Sequence, residues 1–225
     1  ELGVTGGEED GIGKELDTPR LSYGDFTVWQ KEQLSGEYRD ILNAFWKNEL
    51  ADVPILDLPL DRPRPPVPSN QGDHVPISIP LEGINRFCKD FEATSFMVCI
   101  AIFAALLHRY SNQDDFAIGT PVSGRHHPGV EDVVGFFADN LVIRTPVDSE
   151  NSFAELLAKV RQRILSAFDH QDLPFVRLLD AVNPNRRLDI TPLFQVTLTV
   201  DDGMDFDLTK KRRYLGGLRI NRTHD

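Results

Sequence analysis

Absences narrow the possibilities first. The 225 residues include only two cysteines, Cys88 and Cys99, and no Cys-x-x-Cys pair or Cys/His ligand spacing occurs. A disulfide framework and a structural zinc site are not expected; two buried thiols in a reduced, cytoplasmic protein are. Basic residues are scarce, 24 Lys and Arg against 35 Asp and Glu, for a net charge of -11. Phosphate recognition needs a basic face, so nucleic acid is excluded as the expected partner. The one concentrated basic run, residues 210–213, reads as solvated surface. Long apolar runs are also missing, because the longest, residues 96–107, is too short to cross a bilayer and lacks signal-peptide flanks. No G-x-x-x-x-G-K-[ST] loop, strand-linked G-x-G-x-x-G or G-x-S-x-G elbow is found, which argues against ATP, NAD and a serine nucleophile.

What remains is an ordinary globular composition, 40% hydrophobic and 26% charged. Residues 1–20 are rich in Gly, Glu and Asp without an apolar period and read as a flexible acidic connection. In residues 21–50, Tyr38, Ile41, Leu42, Phe45, Trp46 and Leu50 recur at steps of three and four, predicting a helix with one buried face. A proline-dense stretch over residues 52–80 forbids helix and favours an extended crossing, and the alternation of Val75, Ile77 and Ile79 predicts a short edge strand at its end.

Two helices are expected next, near residues 83–93 and 96–110. Thr94 or Ser95 is available as N-cap for the second, more apolar one, which must be central. "DFAIGTPVSG" and "NLVIRTPV" read as short strands. Ser152 and Glu155 form a capping box before a strongly periodic helix. A short helix after Pro174 and a strand "LFQVTLTV" complete the pattern. Strands and helices do not alternate strictly, so the expected class is α+β: a two-layer sandwich with a mixed sheet covered mainly on one face by helices.

The adjacent His126 and His127 invite a catalytic reading. Metal binding would use them with Glu131 or Asp132, but neighbours on one loop seldom aim at the same ion, and two solvent-facing imidazoles are the plainer expectation. A general base needs a second group to orient it, and none is identifiable in the sequence. His170 ends the capped helix, where a cation suits the helix dipole.

Five blocks in order, closed by "TPLFQV", resemble the C-terminal half of a nonribosomal peptide synthetase condensation domain. They are "YGDFTVWQ", "LDLPLDRPRP", "IGTPVSGR", "GFFADNLVIR" and "HQDLPFVRLLD". The resemblance covers about residues 21–200, leaving 201–225 as a tail or the truncated end of a lobe. It implies a chloramphenicol-acetyltransferase-like lobe that forms one wall of a tunnel. There, two carrier-protein-tethered thioesters meet and an amide bond forms. No cofactor is expected to bind directly; the phosphopantetheine arms of peptidyl or acyl carrier proteins enter as tethered substrate. The other expected partners are an N-terminal lobe and neighbouring synthetase domains. The family's catalytic H-H-x-x-x-D-G motif lies upstream of the first block and would precede Glu1. "HHPGVED" departs from it, with Glu131 in the Asp place and Asp132 in the Gly place.

No catalytic or metal-binding residue is therefore assigned within this chain. The tunnel or structural residues implied by the blocks are Gly124, Arg125, Gly135, Phe136, Phe137, Asp139, Asn140, His170, Pro174 and Phe175. Phe136, Phe137 and Phe175 could line the tunnel, with core packing an equal expectation for Phe136 and Phe175. Asp139 stands where the family usually has Asn, and Val176 where it has Glu. Two rival readings stay open: a noncatalytic module that recruits a carrier protein or tailoring enzyme, and an ester-forming acyltransferase of the same superfamily.

Overall fold

The computed structural model describes residues 20–65, 72–77, 84–182, 190–200, 213–215 and 218–220. The acidic connection, apart from Arg20, and the basic run up to residue 212 lie outside the described residues. The order is α1 (Tyr23–Gln33), α2 (Glu37–Glu49), α3 (Ile84–Asp90), α4 (Ser95–Ser111), β1 (Ala117–Val122), β2 (Asp139–Arg144), α5 (Phe153–Asp169), α6 (Phe175–Val182), β3 (Arg213–Leu215) and β4 (Leu218–Ile220).

The single helix expected over residues 21–50 is two. Ser22 caps α1 through a capping box with Asp25, and the chain leaves helical geometry at Leu34 and again at Gly36, whose extended backbone starts α2. Only α2 carries the buried face: Leu42, Trp46 and Leu50 are fully enclosed, while Tyr38 and Ile41 are exposed. The other helix starts follow side-chain chemistry as expected. The Thr94 hydroxyl accepts from the backbone of Met97, and Ser152 and Glu155 form the box that opens α5.

α4 is central. Ile100, Ala101 and Ala104 are completely buried and join Phe116 just before β1, Ile118 and Ile143 from the strands, and Leu157, Val160 and Ile164 from α5 in one core. A second core gathers α2, α6 and the two strands around Trp46, with Ala117, Leu141, Val142 and Leu178 packed into it. Cys88 and Cys99 sit on α3 and α4, half-buried rather than buried. Among the described residues no helix is long and apolar enough to cross a membrane.

β1 and β2 pair antiparallel, Ala117 opposite Arg144 and Val122 opposite Asp139. Instead of a full strand, "LFQVTLTV" makes one parallel bridge, Gly119 to Thr197. In it Gly119 donates to Val196 and accepts from Leu198, each at 3.0 Å. The class is α+β as expected, but in place of the expected mixed sheet the described residues form a two-stranded antiparallel sheet with this one parallel bridge beside it. β3 and β4 pair antiparallel with each other.

The edge strand expected at Val75–Ile79 does not form in its described part: Val75 and Ile77 are exposed and unpaired in any ladder, and Ile79 lies outside the described residues. Alternation alone does not supply a partner strand. In its described residues, 53–65 and 72–77, the proline-dense stretch forms neither helix nor strand, and its first part is held by glutamines. Leu56 N–H donates to Gln195 Oε1 and Asp57 N–H to Gln113 Oε1, both at 2.6 Å, and Gln113 Nε2 returns a bond to the Ile55 carbonyl. Side-chain amides here do what a ladder would do for a stretch whose prolines lack donors.

The approach of residues 190–200 to β1 depends on Gly119. A Cβ there would stand 2.6 Å from the ring of Phe194, which is buried and packed on Phe175. Gly119→Ala is expected to destabilise the chain by about 1–3 kcal/mol through overpacking. Chemical denaturation checks it, and wild-type stability would show that Phe194 can swing clear at no cost.

Candidate functional site

The loop between β1 and β2 is shaped around Arg125. Gly124 turns the chain with φ of +65°, and a Cβ at that position would collide with the Phe137 carbonyl oxygen. Arg125 then sends its guanidinium back along the loop. It donates to the carbonyls of Val130, Glu131 at 3.3 Å and Gly135 at 3.4 Å, and lies over the Phe137 ring at 4.1 Å. One planar cation thereby satisfies three carbonyls that no ladder reaches.

Phe137 is buried among Val130, Val133 and Phe26. Phe136 is 79% exposed, so core packing does not describe it; its carbonyl instead accepts from the Tyr23 hydroxyl at 2.8 Å. Phe175 is half-buried against the second core, 5.6 Å from the ring of Phe194.

Asp139 occupies the start of β2 and reaches the start of α6. Its Oδ2 accepts from Phe175 N–H at 2.9 Å, while Oδ1 accepts from Asn140 N–H at 2.8 Å. Pro174 precedes the helix and has no N–H to satisfy, so Asp139 supplies the cap that Pro174 cannot. A carboxylate at a helix N-terminus is also favoured by the dipole. The Asp in this block therefore has a local task that its neighbour Asn140 does not share.

His170 caps α5. Its Nδ1 lies 2.8 Å from the Ser166 carbonyl, its ring stacks on Phe45 with centroids 3.6 Å apart, and its own carbonyl accepts from Trp46 Nε1 at 2.9 Å. The histidine closes the helix end as expected, and its ring sits on Phe45.

Residues outside the expected set complete the corner. The two imidazoles of His126 and His127 do not simply face solvent. His126 Nε2 stands 2.5 Å and His127 Nε2 3.0 Å from the same oxygen, Oδ1 of Asp172, and the side chains are 33% and 26% exposed. Neither Glu131 nor Asp132 joins them; the Glu131 carboxylate accepts from Gly129 N–H. Tyr38 from α2 donates to Asp172 Oδ2 at 2.7 Å, and Trp29 from α1 packs edge-on against His127.

Burial pushes the Asp172 carboxyl up, but the Tyr38 and His126 hydrogen bonds and the two imidazoles together hold it below the usual carboxylate range. The Tyr38 phenol is raised to about 12, by burial and then by its bond to Asp172. Sequence reasoning missed Asp172 although it stands inside the "HQDLPF" block, because no periodicity links positions 126 and 172.

Asp139→Ala should destabilise the chain by about 0.5–2 kcal/mol through loss of the α6 cap, whereas Asp139→Asn keeps an acceptor and should cost a few tenths. Thermal melts of both variants check this; equal losses would show that the charge, not the cap, matters.

Comparison with known proteins adds relationship to this geometry. The condensation-domain family profile matches residues 9–224. A linear gramicidin synthase of Brevibacillus parabrevis is 42% identical over 180 residues, which cover 78% of this chain and 4% of that protein. Two solved structures are similar. The holo four-domain nonribosomal peptide synthetase AB3403 has a TM-score of 0.73 at 28% identity, over 84% of this chain and 15% of that one. The X-domain in its complex with OxyB from teicoplanin biosynthesis has a TM-score of 0.75 at 27% identity, over 85% of this chain and 45% of that one. The chain therefore spans a small part of the synthases it matches and just under half of the X-domain chain, and it belongs to the condensation-domain family.

Proposed function

We propose that residues 21–200 are the C-terminal lobe of a nonribosomal peptide synthetase condensation domain and form one wall of the tunnel in which two carrier-tethered thioesters are joined. The observation that carries this reading is the family match over residues 9–224, with the five sequence blocks falling in the family's order. In the proposed reaction the acceptor amine attacks the donor thioester carbonyl. A C–N bond forms, the C–S bond breaks, and the donor's phosphopantetheine thiol departs.

Little covalent chemistry is asked of this lobe. Its task is to hold two large tethered groups in register and keep water out, where positioning supplies most of the gain. Val134 and Phe136, both exposed on the Arg125-braced loop, are the residues we assign to the apolar wall. Arg125 fixes that loop by its carbonyl bonds, and Asp139 fixes the loop's far end against α6. The histidine that accepts the amine proton is assigned to the N-terminal lobe, since "HHPGVED" has Glu131 and Asp132 where the catalytic motif needs Asp and Gly. Carrier proteins, with their phosphopantetheine arms, and that lobe are the partners this assignment requires.

A noncatalytic recruiting role is the second reading. It is favoured by the likeness to the X-domain in its complex with OxyB, at 27% identity.

A condensation assay with two loaded carrier proteins, read by intact mass on the parent protein, separates the two. A dipeptidyl thioester is the expected product. Arg125→Ala should reduce its formation by about 10- to 100-fold, as misplaced positioning elements do. Carrier binding with no peptide bond formed would replace the tunnel-wall assignment by recruitment, and wild-type turnover in Arg125→Ala would remove Arg125 from it.

A further inference from the structure

From the convergence of His126, His127 and Asp172 we infer a transition-metal site of the Zn2+ class, lying beyond the proposed peptide-bond chemistry and independent of it. The three donor atoms, two imidazole Nε2 and one carboxylate Oδ1, all lie within 4.8 Å of one another. A tetrahedral Zn2+ with bonds near 2.0–2.1 Å holds its ligand atoms roughly 3.3 Å apart. The Nε2 atoms stand 2.5 and 3.0 Å from Oδ1, so each ring has to retreat from the carboxylate by less than about 1 Å, and the two nitrogens start no more than 4.8 Å apart. Each neutral ring frees its Nε2 lone pair by carrying its proton on Nδ1.

Two features set this cluster apart from an ordinary surface ion pair. Adjacent side chains on a loop normally diverge, whereas here both rings end on one oxygen contributed from 45 residues away. The surroundings also prepare that oxygen. Tyr38 donates to Oδ2, which orients the carboxylate and leaves Oδ1 for an ion, as outer-shell donors do for ligating carboxylates. Trp29 backs the His127 ring with centroids 4.5 Å apart.

Two imidazoles and one carboxylate suit Zn2+, Ni2+ or Cu2+ and not Ca2+ or Mg2+, which prefer oxygen alone. Three protein ligands leave a fourth position. A cavity of about 270 Å³ adjoins two of the ligands, His127 and Asp172, with Tyr38, Trp29, Gln30 and Gln33 also in its lining. The bound ion would clamp the loop between β1 and β2 onto the turn between α5 and α6.

The test is Co2+ absorption and Zn2+ titration of the untagged, metal-stripped 225-residue chain. We expect a visible d–d band with Co2+ that Zn2+ displaces. Zn2+ at about tenfold over its Kd should raise Tm by about 3–5 °C. His127→Gln and Asp172→Asn should each weaken Zn2+ binding by about 100-fold, and Tyr38→Phe by about 10-fold as an outer-shell loss. His74→Gln, exposed and outside the cluster, should leave binding as it is. Absence of the Co2+ band in the wild-type chain overturns the site, and so does retention of wild-type Zn2+ affinity in either His127→Gln or Asp172→Asn.

Discussion

The hydrogen bond from Trp46 to the carbonyl of His170 is the constraint on which the corner of this lobe depends. Trp46 is fully buried, and its indole N–H has one outlet, 2.9 Å away. A buried donor left unpaired costs about 1–3 kcal/mol, so α2 and the end of α5 cannot slide past each other without breaking this bond. Phe45, the preceding residue, adds a face-to-face contact with the His170 ring. The turn that follows α5 is thereby fixed in place before any charged group is considered. Asp172 and Pro174 inherit their positions from it.

A second fastening works at the same C-terminal end of α2, just beyond Trp46. Arg144, at the end of β2, grips Asp115 with Nε and Nη2 and uses Nη1 to cover the carbonyls of Glu49 and Ala51 at 3.0 and 2.9 Å. The bond to Asp115 outweighs partial burial and holds the guanidinium above its ordinary pKa. Glu49 in turn pairs with Arg163 on α5. The two carbonyls lie at the C-terminal end of α2, where backbone acceptors have no intrahelical donor. An arginine there closes the helix and ties it to the strand in one step, which a lysine with a single point charge could not do.

The legible part of the sequence was its local chemistry. The Ser152–Glu155 capping box, the Thr94 cap and the apolar stripes of α4 and α5 mark helices where they were expected, because each signal acts within four residues. Strands fared less well. The stretch at residues 193–200 makes one bridge in place of a ladder, and Val75 and Ile77 make none, because a strand is decided by its partner and not by its own alternation. The same reason hid the site. Arg125 was legible from its block, but its acceptors are backbone carbonyls that carry no sequence signal. The meeting of His126, His127 and Asp172 requires the α5–α6 turn to be placed by Trp46 first. Phe136 and Phe137 look alike in sequence, and only the register of the loop decides that Phe137 is buried and Phe136 exposed.

The family blocks, far apart along the chain, turn out to bond to one another. Tyr23 of the first donates to Phe136 of the fourth, Leu56 of the second to Gln195 of the last, and Arg125 of the third to Gly135 of the fourth. Asp139 of the fourth caps the helix that Phe175 of the fifth begins. Each of these bonds has a backbone group at one end and a particular side chain at the other. A substitution at the side-chain end removes the partner of a backbone donor or acceptor, at greatest cost for the part-buried Leu56 and Phe175 N–H groups. That pairing of a side chain in one block with a backbone group in another ties the blocks together in a fixed order. It also makes the order of the blocks a better guide to this lobe than any one of them, since each block is explained by another elsewhere in the chain.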